Sequence, residues 1–298
     1  RLATFGRFGI FTRKRHLSDV TEHKPPLLAG VVGIPIDHSR SPLMHNYWLR
    51  RYGIHGFYIP ISLAAADFVA GIRSLPRLGF KGVNITIPHK VSMLGLADNV
   101  TDRAALIGAV NTITFKDDGS IRGDNTDGYG FIQNMRQNAP NWDARSGPAL
   151  VLGAGGAARA VVSALLSEGV TELRLANRTR QRAQLLADQF GAKVQVVDWN
   201  RASDAVDGAM TIVNTTSLGM QGQPDLHISL DSAPKTATVT DLVYAPLVTP
   251  FLESAAALGL KTVDGLGMLL HQGVPGFELW FDHRPEVDEG LRMAVLDR

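Results

Sequence analysis

An α/β fold in two domains is predicted for this chain by three observations. Its 298 residues exceed one typical domain and suit two. Short apolar runs bounded by glycine or proline alternate with segments of helical periodicity, the pattern of a parallel sheet. That alternation starts afresh at Ala149, just before the glycine turn Gly153-Ala154-Gly155-Gly156-Ala157-Ala158.

The elements follow in order. Leu27 to Gly33 is an apolar run closed by glycine and predicts a buried strand. Leu43 to Tyr52 carries apolar residues at helical spacing, Gly56 to Ile61 predicts a second strand, and Ala64 to Leu75 a helix. Phe80 to Ile87 predicts a third strand, stopped by Pro88. Met93 to Leu106 predicts one helix, then Ala109 to Phe115 a strand and Asp117-Asp118-Gly119 a hairpin-type turn. In the second unit, strands are expected over Ala149 to Leu152, Thr171 to Ala176, Lys193 to Val197, Met210 to Asn214 and Thr238 to Leu242. Helices are expected over Ala157 to Glu168 and Arg180 to Phe190. This repeated βαβ pattern is that of a doubly wound, Rossmann-type nucleotide-binding domain. Met268 to Arg298 predicts two helices with no strand between them, which must pack on an existing sheet.

Composition narrows the function classes. Thirty basic residues against 28 acidic leave a net charge of +2, which gives no ground for nucleic-acid or acidic-membrane partners. The chain has no cysteine, excluding disulfides, thiolate metal sites and cysteine nucleophiles. No apolar run approaches the roughly 20 residues that span a bilayer. A soluble, cytoplasmic enzyme is the expectation. Residues 1–26 stand apart: Arg1, Arg7, Arg13, Lys14 and Arg15 face only Asp19 and Glu22 before Pro25-Pro26. An arginine-rich, acid-poor start suits an organellar transit segment, but its sparse hydroxyl residues favour a flexible basic extension.

The glycine turn carries chemistry because it follows a strand and opens a helix. Gly153 permits the tight turn, Gly155 lets the backbone approach a pyrophosphate, and Ala158 lets helix and strand pack closely. Helix N-terminal amides then face the phosphates. A NAD site offers a carboxylate at the end of the next strand, for the ribose 2′-hydroxyl. This chain has Asn177-Arg178-Thr179 there, with Arg180 and Arg182 beyond. Arginine can clamp a 2′-phosphate that a carboxylate would repel, so NADP is favoured over NAD.

A redox cofactor needs a partner that handles protons. Lys90 follows the strand ended by Pro88 and so lies at the carboxyl edge of a sheet, where ligands of α/β folds bind. Asp127 sits in the turn Asn125-Thr126-Asp127-Gly128. Each alone reads as ordinary, a solvated lysine and a helix cap; together beside a nicotinamide they can form a working pair. Reduction of a ketone requires a proton for the nascent alkoxide, which an ammonium can donate. Thr86 and Asn84 are expected on one strand face. Ser39 and Ser41 precede a helix with Pro42 at its start; one can cap, leaving the other for an anionic ligand. His38 and His89 lack a second ligand at usual spacing, and no metal role is expected for either.

With these residues in view, the chain resembles the NADP-dependent shikimate dehydrogenase family from about Leu28 to about Trp280. The matching segments are Ile36-Asp37-His38-Ser39-Arg40-Ser41-Pro42, Asn84-Ile85-Thr86-Ile87-Pro88-His89-Lys90, Gly108-Ala109-Val110-Asn111-Thr112 and Gly123-Asp124-Asn125-Thr126-Asp127-Gly128. They continue with Gly153-Ala154-Gly155-Gly156-Ala157, Asn177-Arg178-Thr179, Asn214-Thr215-Thr216-Ser217 and Gly265-Leu266-Gly267-Met268-Leu269-Leu270-His271-Gln272. Any one is weak, but all of them in order are specific. The resemblance implies reduction of 3-dehydroshikimate to shikimate with NADPH, on the way to chorismate and aromatic amino acids. It implies Lys90 and Asp127 as the catalytic pair and Ser39 and Ser41 on the substrate carboxylate. Thr86, Asn111, Tyr244 and Gln272 would contact the ring or its hydroxyls. Gly153, Ala154, Gly155, Gly156 and Ala157 would bind pyrophosphate; Asn177, Arg178, Thr179 and Arg182 the 2′-phosphate; Leu242, Gly265 and Met268 the nicotinamide. Asp102 would reach the cofactor from the first domain. It further implies a split architecture: residues 27–126 plus 266–298 as a parallel-sheet substrate domain completed by C-terminal helices, and 127–265 as the NADP-binding domain. A monomer or homodimer is expected.

Three rivals stay open at this point. A quinate/shikimate dehydrogenase with relaxed substrate or cofactor use is the nearest, and Ser39 and Ser41 do not settle it. Methylenetetrahydrofolate dehydrogenase, another NADP oxidoreductase with a lysine on a similar sheet, is more distant, and the flanking segments disfavour it. A non-catalytic, shikimate-sensing paralogue could lose Lys90 or Asp127, and both are present.

Overall fold

The computed structural model describes residues 25–296. The basic extension expected over residues 1–26 lies outside them, apart from Pro25 and Pro26.

The first half builds β1 (Leu27–Gly33), α1 (Ser41–Arg51), β2 (Gly56–Ser62), α2 (Phe68–Ser74), β3 (Phe80–Ile85), α3 (Lys90–Leu96), β4 (Asn99–Val100), α4 (Asp102–Ile107), β5 (Thr112–Phe115), β6 (Ile121–Asp124) and α5 (Asp127–Asn138). Its strands form a six-stranded sheet in the order β2-β1-β3-β5-β6-β4. β5 runs antiparallel to β3 and β6, and the other strands share one direction. The sheet is thus parallel-rich, with a reversal that alternation alone did not foretell. β5 and β6 form a hairpin on the turn expected at Asp117-Asp118-Gly119, held by the Asp118 carboxylate accepting the Ser120 N–H at 2.9 Å, and the reversal arises because β5 is the hairpin strand that pairs with β3.

The second half builds β7 (Ala149–Leu152), α6 (Gly156–Ser167), β8 (Leu173–Asn177), α7 (Arg180–Phe190), β9 (Val194–Asp198), β10 (Thr211–Asn214), β11 (Thr238–Asp241), α8 (Pro250–Ala257) and β12 (Lys261–Val263). It is followed by α9 (Leu266–Phe281) and α10 (Glu289–Leu296). The second sheet is parallel throughout, in the order β12-β11-β10-β7-β8-β9. Read from β9, this is the doubly wound order, and the chain changes direction between β7 and β10, where ligands of such sheets bind. Apolar cores lie on both of its faces, one around Val161, Leu165 and Leu186, the other around Ile212, Val239 and Phe251.

Two expectations are corrected. The single helix read over Met93 to Leu106 is two, α3 and α4, parted by β4. Helical spacing continues through the break, but Thr101 restarts the helix: its hydroxyl accepts the Ala104 N–H at 3.3 Å, as an N-cap. Asp127 is not in a turn but opens α5, a helix that polar residues and Gly128 and Gly130 conceal in the sequence.

α9 joins the two halves. Leu266, Leu270, Val274 and Phe277 pack into the first half's core, whereas Met268 belongs to the second's. Trp280 Nε1 donates to the Ile113 carbonyl at 3.0 Å, fixing α9 on the first sheet. α9 also packs tightly on α5, because Gly130 leaves room: an ideal Cβ there would lie 2.6 Å from the Met268 carbonyl oxygen.

Candidate active site

Lys90 is the first residue of α3 and Asp127 the first of α5. Their backbones are tied across the sheet, since the Val110 N–H donates to the Lys90 carbonyl at 2.9 Å and the Asn111 N–H to the Asp124 carbonyl at 3.0 Å. Lys90 Nζ donates to Asp127 Oδ2 at 2.8 Å. The second carboxylate oxygen, Oδ1, accepts from Asn111 Nδ2 at 2.7 Å. Lys90 keeps 29% of its side chain exposed against 10% for Asp127, so the ammonium faces the cavity and the carboxylate backs it.

Ser39, Ser41, Thr86, Lys90, Asn111, Tyr244 and Gln272 line one cavity of about 230 Å³. Every residue expected to touch substrate is therefore at this cavity or, in the case of Asp127, hydrogen-bonded to its wall. Gln272 arrives from α9, and its Oε1 lies 3.4 Å from Asn111 Nδ2. Neither serine caps α1 in the expected way: Ser41 is within the helix, and no side chain caps its N-terminus. Ser39 Oγ instead accepts the Ser41 N–H at 3.3 Å.

Arg40 also lines the cavity and was not singled out from the sequence. Its guanidinium donates to the Val295 carbonyl at 3.0 Å and lies 5.6 Å from the centroid of the Tyr244 ring. A cation between two serines at a helix start was the available signal. Neither His38 nor His89 lines this cavity. His38 is exposed, whereas His89 is buried, stacked on Phe68, with Nε2 2.8 Å from the Leu63 carbonyl. Among the described residues no cluster of three or more His, Asp or Glu is placed to hold a metal ion.

The glycine turn links β7 to α6. Gly153 adopts φ +111°, and the Gly153 N–H donates to the Ala176 carbonyl at 2.7 Å. A Cβ built on Gly155 or Gly156 would meet nothing within 4 Å, so the space over the turn is open. No acidic side chain sits in the first turn of α6, and no side chain caps it, which leaves the N-terminal amides for an anion. The residues present fit a dinucleotide pyrophosphate. Asn177 ends β8 beside the turn, where its Nδ2 donates to the Thr179 carbonyl at 2.8 Å. Arg180 is engaged with Asp198 at 2.5 Å, whereas Arg178 and Arg182 have no carboxylate partner among the described residues. Leu242, Gly265 and Met268 come together at the start of α9: a Cβ on Gly265 would fall 2.3 Å from the Leu242 carbonyl oxygen, and Leu242 packs against the core holding Met268. Asp102 is exposed at the start of α4 and makes no ion pair among the described residues.

A buried carboxylate shapes the far side of this cradle. Asp241 Oδ1 accepts from Asn214 Nδ2 at 3.0 Å and from the Val243 N–H at 2.9 Å, and Oδ2 from the Thr249 hydroxyl at 2.7 Å. Burial pushes its carboxyl above the usual range, with these hydrogen bonds acting against the shift. Asn214 Oδ1 in turn holds Thr216, next to the glycine turn.

Family models match residues 31–113 as a shikimate dehydrogenase substrate binding domain, 136–221 as shikimate / quinate 5-dehydrogenase, and 265–293 as a shikimate 5′-dehydrogenase C-terminal domain. The chain is 62% identical over 269 residues to a shikimate dehydrogenase (NADP(+)) of Cereibacter sphaeroides, covering 90% of this chain and 96% of the relative. Shikimate 5-dehydrogenase from Thermus thermophilus, solved with NADP(H) and shikimate, superposes with a TM-score of 0.80 at 38% identity, over 90% of this chain and 98% of that one. Quinate dehydrogenase from Corynebacterium glutamicum, solved with NAD, superposes with a TM-score of 0.85 at 34% identity, over 92% of this chain and 99% of that one. The chain belongs to the shikimate dehydrogenase family.

Proposed function

We propose that the chain catalyses the reversible NADPH-dependent reduction of 3-dehydroshikimate to shikimate, a step towards chorismate and the aromatic amino acids. The observation that carries this is the Lys90 Nζ to Asp127 Oδ2 contact of 2.8 Å at the wall of a cavity of single-ring size. The identity of 54–62% to relatives named shikimate dehydrogenase (NADP(+)) supports this substrate over quinate.

NADPH, when bound, would supply the hydride for the ketone carbon, leaving its oxygen in need of a proton. Lys90 Nζ gives that oxygen its proton; in the oxidative direction the neutral amine takes the hydroxyl proton back. Asp127 orients Nζ through Oδ2 and is itself held through Oδ1 by Asn111. Ser39 and Ser41, with Arg40 adding positive charge, receive the substrate carboxylate. Thr86, Asn111, Tyr244 and Gln272 present donors and acceptors to the ring hydroxyls. The amides at the start of α6, over Gly153, Ala154, Gly155, Gly156 and Ala157, hold the pyrophosphate. Arg178 and Arg182, with Asn177 and Thr179, hold the 2′-phosphate. Leu242, Gly265 and Met268 would flank the nicotinamide, and Asp102, at the start of α4, would reach the cofactor from the first half.

In this reading residues 27–126 with 266–298 form the substrate domain and 127–265 the cofactor domain. The enzyme works in the cytoplasm as a monomer or homodimer, on small molecules; its near balance of 30 basic and 28 acidic residues supports the absence of a nucleic-acid partner. Incubating the protein with NADPH and 3-dehydroshikimate and identifying the product by NMR tests the reading. Stoichiometric shikimate is expected, and no consumption of NADPH refutes it.

A further inference from the structure

Polar side chains run in one continuous chain from β2 to Asp127, and four of them, Tyr58, Asn84, Thr112 and Thr126, have no part in the roles above. The Tyr58 hydroxyl donates to Asn84 Oδ1 at 2.7 Å, reaching past β1 to β3. Asn84 Nδ2 donates to the Asn111 carbonyl and to Thr112 Oγ1, each at 3.1 Å. The Thr112 hydroxyl donates to Asn111 Oδ1 at 2.9 Å. That oxygen also accepts the Thr126 N–H at 2.9 Å and lies 3.1 Å from the Thr126 hydroxyl. Asn111 Nδ2 is thereby turned to Asp127 Oδ1, at 2.7 Å.

Two backbone groups fix the direction of the chain. The Thr126 N–H can only donate, so the Asn111 atom facing it is the oxygen, and the nitrogen must face Asp127. The Asn111 carbonyl can only accept, so the Asn84 atom facing it is the nitrogen, and Oδ1 must face the Tyr58 hydroxyl. Thr112, receiving from Asn84, has Asn111 Oδ1 at 2.9 Å as the nearer acceptor for its single proton, with the Thr126 hydroxyl at 3.2 Å.

Tyr58, Asn111, Thr112, Thr126 and Asp127 are all buried. Burial of so many polar groups is costly unless each is paired, and here each is; the unpartnered buried side-chain atoms among the described residues lie elsewhere, on His45 and Thr240. The face around Tyr58 is otherwise aromatic, with His45 stacked on its ring at 4.0 Å. An apolar residue at Thr112 would suit strand pairing as well.

We infer that Thr112, backed by Asn84 and Tyr58, is a positioning residue: its hydroxyl adds a second hold, beside that of the Thr126 N–H, on the Asn111 amide that grips Asp127 through Oδ1 and leaves Oδ2 to Lys90. The inference rests on the reading of Lys90 and Asp127 as the proton-handling pair. Thr112→Val keeps the side-chain shape and removes the hydroxyl, leaving Asn111 Oδ1 the Thr126 donors and Asn84 Nδ2 the Asn111 carbonyl.

The test is steady-state shikimate oxidation with NADP, alongside NADP affinity and melting temperature, for wild type, Thr112→Val, Thr112→Ser and Tyr58→Phe. Thr112→Val is expected to lower kcat about tenfold, the size of one net hydrogen bond, with NADP affinity within about twofold of wild type. Thr112→Ser restores kcat to within about threefold, and Tyr58→Phe, one bond further out, lowers it about two- to threefold. Thr112→Val at wild-type kcat, or Thr112→Ser as slow as Thr112→Val, overturns the positioning role. Should Thr112→Val not fold, an unchanged kcat in Tyr58→Phe overturns it, and a reduced one at unchanged NADP affinity supports it. A wild-type protein unable to oxidise shikimate overturns this role and the functional reading together, whereas an active wild type matched by Thr112→Val overturns this role alone.

Discussion

Lys90 Nζ lies 2.8 Å from Asp127 Oδ2, although 37 residues separate them and each opens a different helix. A carboxylate at the start of α5 is favoured by the helix dipole, but an ammonium at the start of α3 is opposed by it. Helix stability therefore does not account for Lys90, and the neighbouring carboxylate compensates for its placement. Lys90→Ala should lower kcat by about 10²- to 10⁴-fold while leaving NADP affinity within about twofold. Single-turnover rates and cofactor titration check this; a variant with near-normal kcat refutes the proton-transfer role.

Cofactor choice should reside in Arg178 and Arg182, since Arg180 is tied to Asp198. Replacing both with alanine is expected to raise KM for NADPH by about 10- to 100-fold, the worth of charge-assisted hydrogen bonds, and to leave NADH nearly unaffected. Equal losses with both cofactors would place the 2′-phosphate elsewhere.

Gln272 reaches the cavity because α9 lies close on α5. In Gly130→Val the new side chain would press on the Met268 carbonyl and on Gln272, whose backbone nitrogen is 2.8 Å from an ideal Cβ. A destabilisation of about 1–3 kcal/mol is expected, with a raised KM for shikimate. Urea unfolding and kinetics report the two effects separately, and an unaltered KM would detach Gln272 from the substrate.

Acid sensitivity should come partly from His45 and His271. Burial pulls the His45 imidazole down to about 3 and that of His271 to about 4. The unfolded chain, with histidines near about 6.5, binds more protons below that pH, so stability falls on acidification by up to about 1.4 kcal/mol per pH unit for each histidine. Asp241 works the other way, because its raised pKa lets the folded state keep a proton above the unfolded carboxyl value. His45→Phe should therefore flatten the dependence between about pH 4.5 and 6 by about one proton, whatever it does near neutrality. Urea midpoints across that range measure the slope, and an identical slope in the variant contradicts the assignment.

Much of this was legible locally. The glycine turn is readable because Gly153 must take a left-handed conformation and Ala158 must be small, both demands of a few adjacent residues. Pro88 told that Lys90 lies past a strand, and Asn177 in place of an acid spoke for NADP. What escaped is set by long-range pairing. The direction of β5 depends on its pairing with β3, and the break between α3 and α4 on β4 pairing with β6, which leaves the helical spacing undisturbed. α5 is hidden by its two glycines, and Arg40 by the serines on either side. The Lys90–Asp127 contact depends on three strands and two helix starts meeting at one edge, which no window of sequence contains.

The most direct measurement is kcat/KM for shikimate and for quinate, each with NADP and with NAD. Shikimate with NADP should exceed each of the other three combinations by about 100-fold or more, the discrimination that buried polar groups and a 2′-phosphate clamp provide. Equal or greater efficiency with quinate, or with NAD, would contradict the assignment of this site.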